Sequence, residues 1–251
     1  MEIGGLQKLT LIDYPGKVAC TVFTIGCNFR CPFCYSSELV LPEKTKKQPR
    51  ISENDFFSFL KQRKGLLDGI VLCGGEPTIH KDLSEFCKKI KNLGFLVKLD
   101  TNGSNPEMLE KLINSHLIDY VAMDIKAPLG LKNQISNIKN QNKNVKFKNK
   151  YEEMAGVKVN LGNIKKSIEI LKQGKVGFEF RTTVAPGLTE KDILEMADYI
   201  KGKNTKYFFQ EFNTQKSVLN PEILKLPALK KQEIEKIIEQ IKPKFQICKL
   251  R

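Results

Sequence analysis

What this 251-residue chain lacks narrows it first. No run approaches the roughly 18 consecutive apolar residues of a membrane span, and the opening Met1-Glu2-Ile3-Gly4-Gly5 has neither a basic n-region nor an apolar h-region. A cytoplasmic, non-membrane protein is expected. Histidine is nearly missing, with two residues in all. Arginine is rare in the second half, where Arg181 stands alone before Arg251. No internal repeat and no second domain is evident, so residues 1–251 read as one α/β domain, a length that buries a sizeable core. No flavin or nicotinamide motif is present, which leaves any electron to be supplied from outside.

Two features are over-represented instead. The net charge is +14, nearly all of its excess being lysine spread over helix faces. Such a charge suits either a polyanionic partner such as tRNA or a merely solvated surface, and decides little by itself. Seven cysteines are an odd number for a disulfide framework, and three of them crowd together as Cys27, Cys31 and Cys34. In a reducing compartment that pattern points to metal.

Short apolar runs alternate with longer amphipathic stretches, the pattern of repeated βα units around a parallel sheet. Strands are expected near 18–24, 69–73, 96–101, 120–125, 177–184 and 207–212. Helices are expected over 83–93, 106–116, 163–173 and 230–241, with caps at Ser52 and Thr189, each followed by an aspartate three residues on. Six repeats fit an open, partial (β/α)6 barrel. The stretch 130–150 is rich in Asn and Lys without clear period and reads as an exposed insertion. A C-terminal helix and a last short strand are expected over about 228–250.

Cys27-Asn28-Phe29-Arg30-Cys31-Pro32-Phe33-Cys34 forms a C-x3-C-x2-C loop just after the first of these strands. Structural zinc takes four ligands, commonly as two separated Cys or His pairs, and no second pair exists here. A cubane iron–sulfur cluster held by three thiolates keeps one iron without a protein ligand, open to an amine and a carboxylate of a small molecule. Further polar groups fall at strand ends. Cys73-Gly74-Gly75-Glu76-Pro77 pairs two glycines that admit a close backbone approach with a carboxylate able to accept from an ammonium. Leu99-Asp100-Thr101-Asn102-Gly103 and Met123-Asp124-Ile125-Lys126 end two further strands, with Asn102 readable either as a helix cap or as a site residue. Arg181, in Phe180-Arg181-Thr182-Thr183, is a carboxylate-binding fork or a surface salt bridge. Cys20, Cys87 and Cys248 share no pattern and read as small buried hydrophobes, as does Cys73.

The C-x3-C-x-aromatic-C order, with Phe33 in the aromatic slot, resembles the radical S-adenosylmethionine (SAM) superfamily. The wider set resembles its glycyl-radical-enzyme activating enzymes, above all the activases of anaerobic ribonucleoside-triphosphate reductase. It consists of Asp13-Tyr14-Pro15-Gly16, the loop 26–35, Gly74-Gly75-Glu76-Pro77, Leu99-Asp100-Thr101-Asn102-Gly103, Asp124-Ile125-Lys126-Ala127-Pro128 and Phe180-Arg181-Thr182-Thr183-Val184.

That resemblance implies one [4Fe-4S] cluster on Cys27, Cys31 and Cys34, with Phe33 and Tyr35 flanking the adenine of SAM. Gly74, Gly75 and Glu76 would hold the methionine amine, with Asp100 and Asn102 at the same rim. Asp124, Lys126 and Arg181 would meet the ribose and carboxylate end. It also implies a monovalent-cation site at Asp100, Thr101 and Asp124, and a docking role for Asp13. The implied reaction is reductive SAM cleavage to a 5′-deoxyadenosyl radical that takes a hydrogen atom from a partner's glycine, with no side chain acting as acid or base. Flavodoxin or ferredoxin would supply the electron, and nucleic acid is not an expected partner. Where formate-lyase activases carry a SAM-contacting histidine, this chain has Phe208-Phe209-Gln210-Glu211-Phe212-Asn213, which leaves the role of Gln210 or Asn213 open. The alternatives are activation of another glycyl radical enzyme, such as pyruvate formate-lyase, or a compact radical SAM enzyme acting on tRNA or a deazapurine precursor.

Overall fold

The computed structural model describes residues 1–130 and 146–251. Its strands are β1 (Ile3–Thr10), β2 (Ala19–Thr24), β3 (Gly69–Gly74), β4 (Leu96–Thr101), β5 (Tyr120–Asp124), β6 (Gly177–Val184), β7 (Gly202–Glu211) and β8 (Phe245–Leu250). The helices are α1 (Ser37–Val40), α2 (Pro42–Thr45), α3 (Glu53–Gln62), α4 (Leu83–Asn92), α5 (Pro106–Asn114), α6 (Lys150–Ala155), α7 (Leu161–Lys172), α8 (Glu190–Ile200) and α9 (Lys231–Ile241). The strands follow one another in sequence order in a mostly parallel sheet, with β1 and β8 as the ends of that order. This is the expected α/β class, and β2 to β7 are the six strands read from the sequence.

Two compact units share the chain. The first comprises Met1–Asn28, Ser36–Ala122 and Lys175–Gly177. Here β2, β3 and β4 run parallel, with Ala19 opposite Gly69 and Gly69 opposite Leu96. Val22, Ile70, Val71, Leu72, Val97 and Leu99 are wholly buried, as strands covered on both faces require. α3 starts where the Ser52 hydroxyl accepts from the Asp55 N–H at 3.0 Å, and α5 where Asn105 accepts from the Met108 N–H at 3.1 Å. Phe56 of α3 stacks on Phe86 of α4, ring centroids 5.4 Å apart. Burying each such ring stabilises the unit by roughly 1.5–3 kcal/mol.

The second unit comprises Phe29–Tyr35, Met123–Gly174 and Phe178–Arg251. β6, β7 and β8 run parallel, and Phe180, Tyr207 and Phe209 fill the space beside them without exposure. α8 begins in the capping box read at Thr189 and Asp192.

The structure departs from the sequence reading at the short helices α1 and α2, which were not expected, and in three further places. β1 was not anticipated; it pairs antiparallel with β2. β7 begins at Gly202, earlier than the expected 207. Residues 131–145 of the expected exposed insertion lie outside the described residues, but its last two positions belong elsewhere: Asn149 and Lys150 are buried at the start of α6. Asn149 caps the helix through the Glu152 N–H at 2.9 Å, and the Lys150 ammonium meets Asp192 at 2.7 Å, which explains how a polar Asn-Lys pair is kept inside. Among the described residues no helix is long and apolar enough to cross a membrane.

Candidate functional site

In the first unit the parallel strands β2, β3 and β4 end on one edge, so the segments after Thr24, Gly74 and Thr101 are neighbours. The Gly75 N–H donates to the Thr24 carbonyl at 2.9 Å, and the Glu76 N–H to the Gly26 carbonyl at 2.8 Å. A Cβ on Gly75 would stand 1.8 Å from the Gly26 carbonyl oxygen, and one on Gly74, whose φ is +113°, 2.3 Å from the Thr24 nitrogen. The close approach that the two glycines allow is therefore to the backbone leading into Cys27.

Glu76 is buried, 1% exposed. One carboxylate oxygen accepts from the Thr78 N–H at 3.1 Å, the Thr78 hydroxyl at 2.6 Å and the Thr101 hydroxyl at 2.7 Å; the other accepts from the Asn102 N–H at 2.6 Å. Burial pushes the Glu76 carboxyl above its ordinary pKa, against the pull of these four donors. One of its oxygens is bonded three times and the other once, so the second keeps room to accept from an incoming cation. Asn102 is not the cap of α5, a task Asn105 performs. Its amide donates to the Asn28 side chain at 2.9 Å and its oxygen accepts from the Ser104 N–H at 2.9 Å, while Asn28 donates to the Ser104 hydroxyl at 2.8 Å. Thr78, Asn28 and Ser104 went unread in the sequence; a hydroxyl two residues past a buried carboxylate was the available signal. Asp13 accepts from the Thr21 hydroxyl at 2.7 Å.

Cys27 and Asn28 belong to the first unit, and Phe29–Tyr35 of the cysteine loop to the second. There α6 braces it. The Arg30 N–H donates to the Ala155 carbonyl at 2.8 Å, and Gly156, left-handed at φ +69°, lies so close that a Cβ would sit 1.9 Å from the Arg30 carbonyl oxygen. The Leu219 and Asn220 N–H groups donate to the carbonyls of Cys34 and Pro32, each at 2.9 Å. Phe33 lies under the Lys126 ammonium, 5.7 Å from the ring centre. Tyr35 stacks on Phe212 at 5.7 Å, and its hydroxyl accepts from the Asn213 N–H at 2.7 Å. Asp124 meets Lys126 at 3.4 Å and Arg181 at 3.1 Å. Burial works to raise the Asp124 pKa, but Lys126 and Arg181 together outweigh it and hold the carboxyl below its ordinary value. Arg181 is thus a partly buried salt-bridge partner.

Do these residues fit a cluster? All seven cysteines are thiols. Burial pushes the Cys31 thiol up to about 12, opposed in part by Lys126, so it becomes a thiolate only when positive metal lies on it. The fully buried Tyr151 hydroxyl of α6, which interacts electrostatically with Cys31 and whose oxygen faces the Lys126 backbone N–H, donates to no acceptor among the described residues. A soft sulfur donor with an O–H donor interacting with it suits iron–sulfur ligation, in which hydrogen bonds to sulfur are part of the tuning. Among the described residues no three His, Cys, Asp or Glu side chains gather around a single point as ligands of one ion would. A cubane does not ask for that, because its thiolates sit on different irons. Cys20, Cys87 and Cys248 are buried, their thiols also pushed up to about 12 by burial, and behave as the small hydrophobes they were expected to be.

A C-x3-C-x2-C loop after one parallel strand and, within the first unit, a buried carboxylate turn after the next are features of a cofactor-dependent α/β enzyme. The radical SAM superfamily model matches residues 21–200, and the chain belongs to that superfamily. Membership implies a [4Fe-4S] cluster and SAM. Among relatives, the chain is 34% identical over 241 residues to a Methanocaldococcus jannaschii protein named as a glycyl-radical enzyme activating enzyme, covering 94% of this chain and 89% of that one. It is 25% identical over 230 residues to GTP 3',8-cyclase of Sulfurovum, covering 89% of this chain and 61% of the cyclase. Among solved structures, SuiB of Streptococcus suis bound to S-adenosylmethionine matches in fold with a TM-score of 0.60 at 14% identity, covering 90% of this chain and 48% of SuiB.

Proposed function

We propose that this radical SAM enzyme is a glycyl-radical-enzyme activase whose target is anaerobic (class III) ribonucleoside-triphosphate reductase. The observation that carries the activase reading is the two-way coverage of the relative named as an activating enzyme, 94% of this chain and 89% of that protein. The choice of reductase is supported by Asp13-Tyr14-Pro15-Gly16, by Asp100-Thr101-Asn102-Gly103, and by Gln210 and Asn213 standing where formate-lyase activases have a histidine.

In this reading Cys27, Cys31 and Cys34 hold the cluster, and Gly74, Gly75 and Glu76 take the SAM amine. Phe33 and Tyr35 flank the adenine. Asp124, Lys126 and Arg181 meet the ribose and carboxylate end, with Asp100 and Asn102 at the rim beside Glu76. The chemistry such a cluster supplies when bound is one electron for reductive cleavage of the sulfonium, leaving methionine and a carbon radical able to take a hydrogen atom. The chain's own work is positional. Glu76, pinned by four donors, offers a fixed acceptor, and the Asp124 pairs hold Arg181 and Lys126 in place. Flavodoxin or ferredoxin fits as the electron donor, since the chain has no flavin or nicotinamide motif.

A second reading has one observation in its favour, the similarity to a GTP cyclase over 89% of this chain. The two separate cleanly by experiment. Anaerobic, reduced protein with SAM should form 5′-deoxyadenosine faster when the reductase is added, and not when GTP, a deazapurine precursor or tRNA is added. Stimulation by any of the last three, without stimulation by the reductase, would transfer the assignment.

A further inference from the structure

The monovalent-cation site expected at Asp100, Thr101 and Asp124 needs oxygen atoms with charge to spare. Within its own unit each of the three is already engaged. Asp100 and Lys98 lie two apart on β4 and so share a face. The Lys98 ammonium donates to the Asp100 carboxylate, with side-chain exposures of only 1% and 9%. The Thr101 hydroxyl donates to Glu76 at 2.7 Å and accepts from the Gly103 N–H at 3.1 Å. Asp124 carries two cations, Lys126 at 3.4 Å and Arg181 at 3.1 Å.

A fully buried lysine is costly unless a carboxylate partners it, and a buried carboxylate equally so without a cation. Asp100 cannot serve both Lys98 and a metal ion without a second uncompensated positive charge entering a dry site. We infer that this enzyme takes no monovalent cation, and that the Lys98 ammonium is the built-in positive charge that holds Asp100 in position for SAM. Lys98 would then be a positioning residue. The inference rests on the SAM-binding reading of Asp100 given above.

The test uses anaerobically reconstituted holoprotein and reads SAM affinity in KCl and in tetramethylammonium chloride at equal ionic strength, the second cation being too large to enter. The wild type should bind SAM equally in both salts, within about twofold. A gain of roughly tenfold on K⁺ would overturn the inference, whereas no SAM binding in either salt would instead remove the reading beneath it. Lys98→Met should weaken SAM binding at least roughly tenfold in tetramethylammonium and recover on adding K⁺, because the ion then fills the vacated place beside Asp100. Unchanged binding, or loss without rescue, contradicts the proposal. If Lys98→Met does not fold, Lys98→Met/Asp100→Asn removes both buried charges together, a change that folds readily tolerate. That pair should bind SAM weakly with no response to K⁺, and wild-type-like binding by it would contradict the proposal.

Discussion

At the scale of single residues, the site depends on how each buried charge is compensated. Glu76 receives four protein donors, and a SAM ammonium would add a charge-assisted bond. Such a bond contributes about 1.5–3 kcal/mol, so Glu76→Gln should weaken SAM binding about tenfold or more with iron content unchanged, as equilibrium dialysis would read. Arg181→Ala should do the same; unaltered affinity in both would mean the pocket is elsewhere. Cys31→Ala should abolish SAM cleavage, while Cys20→Ala, Cys87→Ala and Cys248→Ala should spare it. Asp124 supplies a pH test. Its carboxyl is held below the ordinary value, so the stability it contributes is fully present above its unfolded-state pKa, about 3.9, and is lost as pH falls through the lower folded value. Arg181→Ala removes one of the two lowering charges and should move that acid loss to higher pH. Superimposable curves of melting temperature against pH for the two proteins would refute it.

At the scale of elements, glycine placement makes a graded prediction. Gly75→Ala would drive a Cβ to 1.8 Å from the Gly26 carbonyl oxygen, and Gly156→Ala would drive one to 1.9 Å from that of Arg30 with left-handed strain added. Each should destabilise by about 1–3 kcal/mol or more and reduce iron uptake, because the atoms displaced belong to the cysteine loop. Gly94, at φ +90° with no atom within 4 Å of its Cβ position, should cost only about 1 kcal/mol and leave iron uptake intact. Denaturant midpoints and iron assays check the order, and equal effects at all three would contradict it. Much of this scaffold was legible beforehand. Buried parallel strands announce themselves as continuous apolar runs, and caps such as Ser52 and Thr189 are short-range chemistry. β1 was missed because its glycines and polar residues, half-exposed beside β2, show no strong alternation. α6 was missed because its Asn149 cap, a local signal, stands in an Asn- and Lys-rich run, and because the burial of Lys150 comes from a distant partner, Asp192. No local pattern encodes such pairs. The same limit applied at the site, where Gly74-Gly75-Glu76 was visible as a motif but the Thr101 and Asn102 donors to Glu76 depend on a strand neighbour.

At the scale of the whole molecule, a net charge of +14 should steer a negatively charged protein partner toward the enzyme. The activation rate should therefore fall as ionic strength rises past about 0.1 M, where the screening length is about 10 Å, with SAM affinity much less affected. A rate indifferent to salt would reduce the charge to a solvated surface. The central claim is that the hydrogen atom comes from a backbone glycine of the reductase. The most direct measurement mixes reduced enzyme, SAM and the reductase without oxygen and records the electron paramagnetic resonance spectrum. A glycyl-radical doublet is expected, and it should vanish when the reductase's radical-bearing glycine is changed to alanine. SAM turnover with no radical on that partner, accompanied by modification of tRNA or a purine nucleotide, would contradict it.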